Sequence, residues 1–303
     1  MANTSDDSLK KPNVKDNYSK KQFDELTRCY IDPIYFAENF IKIQHTTKGA
    51  IPFKPFAYQK HMITAFKDHK YVVALTSRQN GKTTCAAAYL LWRAMFSPDS
   101  TILIVANLFA QAMEIVERIK YAYEYLPDYI RAGVKEYSKS KITFDNNSRI
   151  IARATTANAG RGLSVSYLYC DEFSFVPPNI QKDFWAAIQP VLATGGRCII
   201  TSTPKSDEDQ FAEIWRGANN NVDDFGNELS NNGAGRNGFF PVKSYWYDHP
   251  ERDEEWARPF KESLGKKFFQ EFECVSANTK INLKSHEKFT MTMGDLYTKL
   301  AAQ

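Results

Sequence analysis

Residues 71–84 (YVVALTSRQNGKTT) run from an apolar stretch into a polar loop that ends in Gly81, Lys82 and Thr83. Glycine, lysine and a hydroxyl in that order are the parts of a phosphate grip. A buried strand over 71–75, a loop and then a helix over 83–96 would aim backbone N–H groups and a helix N-terminus at an anion. Lys82 would reach the terminal phosphates of a nucleotide such as ATP, and the Thr83 hydroxyl would ligate Mg2+. Ser77, Arg78, Gln79, Asn80 and Thr84 supply the rest of this candidate nucleotide-binding loop. The pattern GxxxxGK[ST] is incomplete, because Thr76 stands where its first glycine belongs. A glycine turn opening an ordinary helix would use the same residues, so the rest of the chain has to decide.

Three further stretches carry matching chemistry. In VSYLYCDEFSF an apolar strand over 167–170 runs straight into Asp171 and Glu172. Placed at the end of a strand neighbouring the phosphate-loop strand, Asp171 would hold Mg2+ and Glu172 would polarise the attacking water. A third strand, RCIIT over 197–201, ends in Ser202, Thr203 and Pro204, hydroxyls able to sense a γ-phosphate. Upstream, FKPFAYQKHMITAF places Gln59 beside Phe56 and Tyr58 at a helix start. Its amide can donate to and accept from an adenine edge while an aromatic ring stacks on the base. In open parallel sheets ligands bind at the carboxyl ends of strands, where three of these groups would converge.

The elements that must position these groups alternate between strand and helix. Residues 101–105 read as a second buried strand and 108–126 as a helix ending before Pro127, while KITFDNNSRIIARAT reads as a hairpin at a sheet edge. The expected fold is α/β, a twisted and mainly parallel P-loop NTPase sheet flanked by helices, with a small C-terminal subdomain and a short β-rich tail. The divisions expected are a disordered leader over 1–22, a core over 23–216, a second subdomain with its polar connecting loop over 217–273, and a tail over 274–303. An amphipathic segment over 23–43 is broken at Pro33. With 303 residues, 43% of them hydrophobic and 24% charged, the chain can bury a sizeable core. A net charge of +4 permits nucleic-acid contact without demanding it. No stretch reaches the length of a membrane span and the N-terminus lacks a signal-peptide core, so residence in a cytoplasm without membrane contact is expected. The five cysteines show no metal-ligand spacing, and their odd number argues against a disulfide framework. Cys29, Cys85, Cys170 and Cys198 read as small buried side chains.

From about residue 23 to 273 the order of motifs resembles the large terminase subunit of tailed bacteriophages. The resemblance rests on AYQ (57–59), SRQNGKTT (77–84), AGRGLSVSYLYCDEFSFVP (159–177) and TSTP (201–204). It implies an ATPase motor that drives double-stranded DNA into a procapsid. It also explains the missing first glycine, since that family's loop lacks it and carries an arginine, matching Arg78, that is assigned to sensing or stabilising the γ-phosphate. The implied roles are adenine contact for Gln59, phosphate and metal binding for Lys82 and Thr83, metal binding for Asp171, catalytic base for Glu172, and coupling of hydrolysis to motion for Ser202 and Thr203. Arg161 matches a recurrent arginine that could act on a neighbouring subunit's nucleotide or in a structural ion pair. Implied partners are DNA, a portal protein, a small terminase subunit and further copies of the chain, in the bacterial host cytoplasm and transiently at the procapsid portal.

The family continues into a nuclease domain, which this chain is expected to lack. The tail CVSANTKINLKSHEKFTMTMGDLYTKLAAQ instead resembles the start of an intein. On that resemblance Cys274 is the first residue of an N-terminal split-intein fragment. Its thiol would attack the Glu273 carbonyl once a C-terminal intein fragment, joined to the nuclease half, supplied the missing groups. A superfamily 2 helicase shares the glutamine and Asp-Glu motifs, but its second motor domain has no room here.

Overall fold

The computed structural model describes residues 9–274, 280–284, 288–292 and 295. Two helices open the ordered body, α1 (Lys20–Ile31) and α2 (Pro33–Phe40). Asp32 ends the first and caps the second by accepting from the Ile34 N–H at 2.8 Å, with Pro33 at the first helical position, where its missing N–H costs nothing. The chain then forms an antiparallel hairpin, β1 (Lys42–His45) and β2 (Gly49–Pro52), which the sequence reading missed. Next come α3 (Ala57–Asp68), β3 (Tyr71–Thr76), α4 (Lys82–Phe96), β4 (Thr101–Ala106) and α5 (Phe109–Glu124). Three strands follow, β5 (Val134–Tyr137), β6 (Lys141–Phe144) and β7 (Arg149–Ala154), then β8 (Tyr167–Asp171) and α6 (Pro178–Ala193). The remainder is β9 (Arg197–Ser202), α7 (Gln210–Ala218), β10 (Phe239–Ser244), α8 (Glu254–Leu264), α9 (Lys267–Glu271), β11 (Lys280–Lys284) and β12 (Lys288–Thr292).

Eight strands form the central sheet in the order β10-β3-β9-β8-β4-β7-β6-β5. Pairing is parallel from β10 through β7 and antiparallel over β7, β6 and β5. One expectation is corrected: β8, which ends in Asp171 and leads into Glu172, does not neighbour β3. The hydroxyl-tipped β9 lies between them.

The central strands are apolar on both faces, as a sheet covered by helices requires. Val72 and Ala74 of β3, with Ile102 and Ile104 of β4, face the core built on α2 to α5. Val73, Leu75, Leu103 and Val105 point the other way, into the core built with α6 and α7. A third small core gathers Trp246, Ala257, Phe268 and Phe272 around α8 and α9.

Part of the expected leader is ordered, because residues 9–13 lie against the end of the sheet. The Val134 N–H donates to the Lys10 carbonyl at 3.0 Å, and the Lys10 ammonium bonds the Asp16 carboxylate and the Asp128 carbonyl. Leu9 packs on the main core. Gly133 makes this approach possible: a Cβ there would stand 2.6 Å from the Lys11 carbonyl oxygen and 2.8 Å from the Pro12 Cα. Gly133→Ala should therefore release this segment. Limited trypsin digestion should cut after Lys10 several-fold faster than in the wild type, with the thermal midpoint of the body moved by no more than about 4 °C. An unchanged cleavage rate would remove the role given to Gly133.

Candidate nucleotide site

Thr76 explains the incomplete loop pattern. It is the last residue of β3, in extended backbone and fully buried, so no glycine is required there. The turn is made later, by two left-handed residues, Gln79 (φ 60°) and Gly81 (φ 75°). Gly81 is held to glycine twice over, by that φ and because a Cβ would come within 2.6 Å of the Gln59 Nε2. Lys82 then opens α4, whose N-terminus carries no side-chain cap. Its leading N–H groups, with the helix dipole behind them, fit an anionic phosphate.

The strand register brings the other groups alongside. Ala74 of β3 pairs with Thr201 of β9, which pairs with Asp171 of β8, so three strand ends are level. Glu172 emerges next to the tip of β9. Its Oε1 lies 2.7 Å from the Lys82 Nζ. Its Oε2 accepts from the Thr203 N–H at 3.2 Å, with the Ser202 and Thr203 hydroxyls each 3.4 Å away. Thus Ser202 and Thr203 touch the candidate base itself.

Asp171 is anchored from inside the sheet. Tyr169, fully buried, donates its hydroxyl to the Asp171 Oδ1 at 2.7 Å, and Thr201 donates to the same oxygen at 3.0 Å. Burial pushes the Asp171 carboxyl up, opposed by the Lys82 ammonium and by these two hydroxyls. Both bonds end on one oxygen, which leaves the other for a cation. Among the described residues no three His, Cys, Asp or Glu side chains gather to cage a metal. One carboxylate plus the half-buried Thr83 hydroxyl nevertheless suits Mg2+, which takes one or two protein ligands beside substrate phosphates and water.

Gln59 is buried as the third residue of α3, and its amide is already engaged. Nε2 donates to the Asn80 carbonyl at 3.1 Å and Oε1 accepts from the Phe56 N–H at 3.0 Å. It therefore holds the phosphate loop, and adenine contact would require one of these bonds to yield. Phe56, expected as a stacking ring, has His249 against it with ring centroids 4.6 Å apart.

The structure adds residues that sequence spacing does not reveal. Ser244, at the end of β10, accepts from the Ser77 N–H at 2.9 Å, and its hydroxyl accepts from the Asn80 amide at 2.6 Å. Arg252 donates to the Gln79 carbonyl at 2.9 Å and to the Asn80 Oδ1 at 2.8 Å. Arg78 forms an ion pair with Glu271 at 2.5 Å, and its N–H donates to the Glu271 carbonyl at 2.7 Å. Arg161 lies on an exposed loop.

Residues 73–291 match the family described as terminase large subunit, T4likevirus-type, N-terminal. The chain belongs to this family. The match runs through the phosphate loop, the acidic pair and the β9 tip and continues past Cys274. Its fold is similar to the ATPase domain of the Thermus phage P74-26 large terminase, at 23% identity and a TM-score of 0.55, covering 73% of this chain and 94% of that one. It is also similar to the HK97 bacteriophage large terminase, at 20% identity and a TM-score of 0.60, covering 84% of this chain and 57% of that one. A third similar structure is the large terminase of the thermophilic bacteriophage D6E in complex with ADP, at 11% identity and a TM-score of 0.55, covering 75% of this chain and 55% of that one.

All five cysteines are buried and free, the fifth included. Cys274 lies against the Ser244 carbonyl at 3.3 Å, and burial pushes its thiol up to about 12. Burial likewise raises Cys29 to about 12, and it raises Cys85 and Cys170 as well. A raised thiol pKa leaves less thiolate at neutral pH. Iodoacetamide at pH 7.5 should then label the native protein at least about a hundredfold more slowly than free cysteine, with all five thiols reacting in denaturant. Fast native labelling of Cys274, mapped by peptide mass, would contradict this placement.

Proposed function

We propose that this chain is the ATPase motor of a phage large terminase, hydrolysing ATP to move double-stranded DNA into a procapsid. The observation that carries the reading is Glu172, held between the Lys82 ammonium and the Thr203 N–H at the level strand ends. Nucleotide phosphates entering the loop would meet the N–H groups of α4 and compete with Glu172 for Lys82. Released from that pair, Glu172 can take the proton of the attacking water as its oxygen bonds to the γ-phosphorus and the bond to the β-phosphate oxygen breaks. Mg2+ held by Thr83 and Asp171 would neutralise charge on the β and γ oxygens. The Thr203 N–H keeps the carboxylate aimed while the Ser202 hydroxyl, which donates to the Thr203 carbonyl at 2.8 Å, braces the β9 tip, so this tip is placed to respond when the pair with Lys82 parts. The ADP carried by the D6E terminase supports an adenine nucleotide as substrate. Assembly with further copies, a portal protein and a small terminase subunit in the host cytoplasm belongs to the same proposal.

Lys82→Ala should abolish hydrolysis and weaken nucleotide binding. Glu172→Gln should bind a fluorescent ATP analogue within about threefold of the wild type while kcat falls by roughly 10²–10⁴. Turnover at the normal rate in Glu172→Gln would show that another group is the base.

A second reading concerns Cys274, as the first residue of a split-intein fragment whose partner would join this chain to a nuclease half. Its backbone is left-handed (φ 55°), an uncommon conformation for a residue with a side chain, and an antiparallel hairpin of β11 and β12 follows. Against it, the family match continues to residue 291. In the reaction, Sγ would attack the Glu273 carbonyl carbon and the Cys274 nitrogen would leave as an amine, taking up the thiol proton. With the thiol buried and un-ionised, the chain alone should stay intact under reducing conditions. Mixed with candidate C-terminal fragments, it should lose residues 274–303 and gain their fused mass by mass spectrometry, and Cys274→Ala should block the change. Retention of the tail with every genomically paired fragment would sink this reading.

A further inference from the structure

Glu172 reaches Lys82 from a left-handed turn (φ 48°, ψ 46°), an arrangement that a glutamate does not hold unaided. The turn leads into a single 3-10 turn over Phe173–Phe175, closed by the Phe175 N–H on the Glu172 carbonyl at 2.9 Å. Ser174, in the middle of it, is bonded at each of its polar groups. Its N–H donates to the Ser202 hydroxyl oxygen at 3.2 Å, and its carbonyl accepts from the Gln181 amide at 3.4 Å. Its hydroxyl donates to the Asp209 Oδ2 at 2.6 Å.

Asp209 lies 37 residues beyond Glu172 in sequence and is only 2% exposed. Its Oδ1 caps α7 by accepting from the Ala212 N–H at 2.8 Å. Serine and threonine cap helices comparably well, without placing a charge beneath the surface, so capping alone does not account for a buried carboxylate here. What aspartate adds is the second oxygen, and that oxygen holds Ser174. The same serine's N–H meets Ser202, whose hydroxyl faces the Glu172 Oε2.

We propose that Asp209 is a positioning residue for hydrolysis, fixing through Ser174 the turn that aims Glu172 and joining that turn to the N-terminus of α7. The proposal rests on the reading of Glu172 as the base. A change in the aim of the carboxylate would then be felt at α7, and a displacement of α7 would detune the base.

Two substitutions delete the same bond from opposite ends. Ser174→Ala removes the donor, and Asp209→Ser keeps the helix cap while losing the oxygen that reaches Ser174. Each should lower kcat about tenfold with KM for ATP and the Kd of a fluorescent ADP analogue within about twofold of the wild type. The double variant should be no slower than the slower single, because one bond is lost in all three. Asp209→Asn, which can cap with its oxygen and offer its amide N–H to the Ser174 hydroxyl, should recover most of the rate. Rates are taken per folded molecule at a temperature well below each thermal midpoint. Full kcat in Ser174→Ala, or losses that multiply in the double variant, would overturn the role of Asp209 alone. A wild-type chain with no turnover would overturn it together with the ATPase reading.

Discussion

The contact between the Lys82 ammonium and the Glu172 carboxylate depends on three parallel strands ending level with one another. Ala74, Thr201 and Asp171 pair across β3, β9 and β8, so the loop after each strand opens onto the same edge. A slip of one residue in either pairing would turn the side chains of the shifted strand to the opposite face. Alternate residues of β3 and β4 serve two separate cores, which makes that slip expensive on both faces at once. The register of the site is therefore set by apolar burial on either side of the sheet. The chemistry at its edge inherits that precision without contributing to it.

The phosphate loop is equally tied to the far end of the described chain. Ser244 and Arg252 bond its backbone and Asn80, while Glu271 engages Arg78 through both side chain and backbone. The aromatic core of Trp246, Phe268 and Phe272 holds this segment together. Motion of α8 and α9 would thus change the loop directly. Cys274 itself lies against the Ser244 carbonyl, the same oxygen that accepts from the Ser77 N–H.

The two buried carboxylates near the β9 tip are both partnered. Asp171 has Tyr169 and Thr201, and Asp209 has Ser174 and the first turn of α7. Such groups are costly when unpaired and directional when paired, so they fix side-chain aim more than they add stability. The left-handed backbone of Glu172, worth about 1–2 kcal/mol of strain, is tolerated because its neighbours are bonded on every side.

The sequence by itself determined the strand-loop-helix over 71–96 that carries the candidate phosphate loop, the Asp171–Glu172 strand end, the hydroxyl tip after residue 201 and the alternation of strands and helices. Each depends on local residue type and on short-range periodicity. Strand order did not follow from these signals, because β9 enters between β3 and β8 only when long-range pairing decides which apolar runs lie side by side. The β1–β2 hairpin begins only at the end of the amphipathic 23–43 segment and pairs two four-residue strands too short to show a period, and the leader reads as free because its partners, Asp128 and Val134, lie more than a hundred residues away. Gln59 carries the right type at the right place, yet only the tertiary structure spends its amide on Asn80 and Phe56. The same holds for Arg252, Glu271 and Asp209. A charged residue in a sequence reads as solvated surface, and it is the fold that closes over it and hands it a partner.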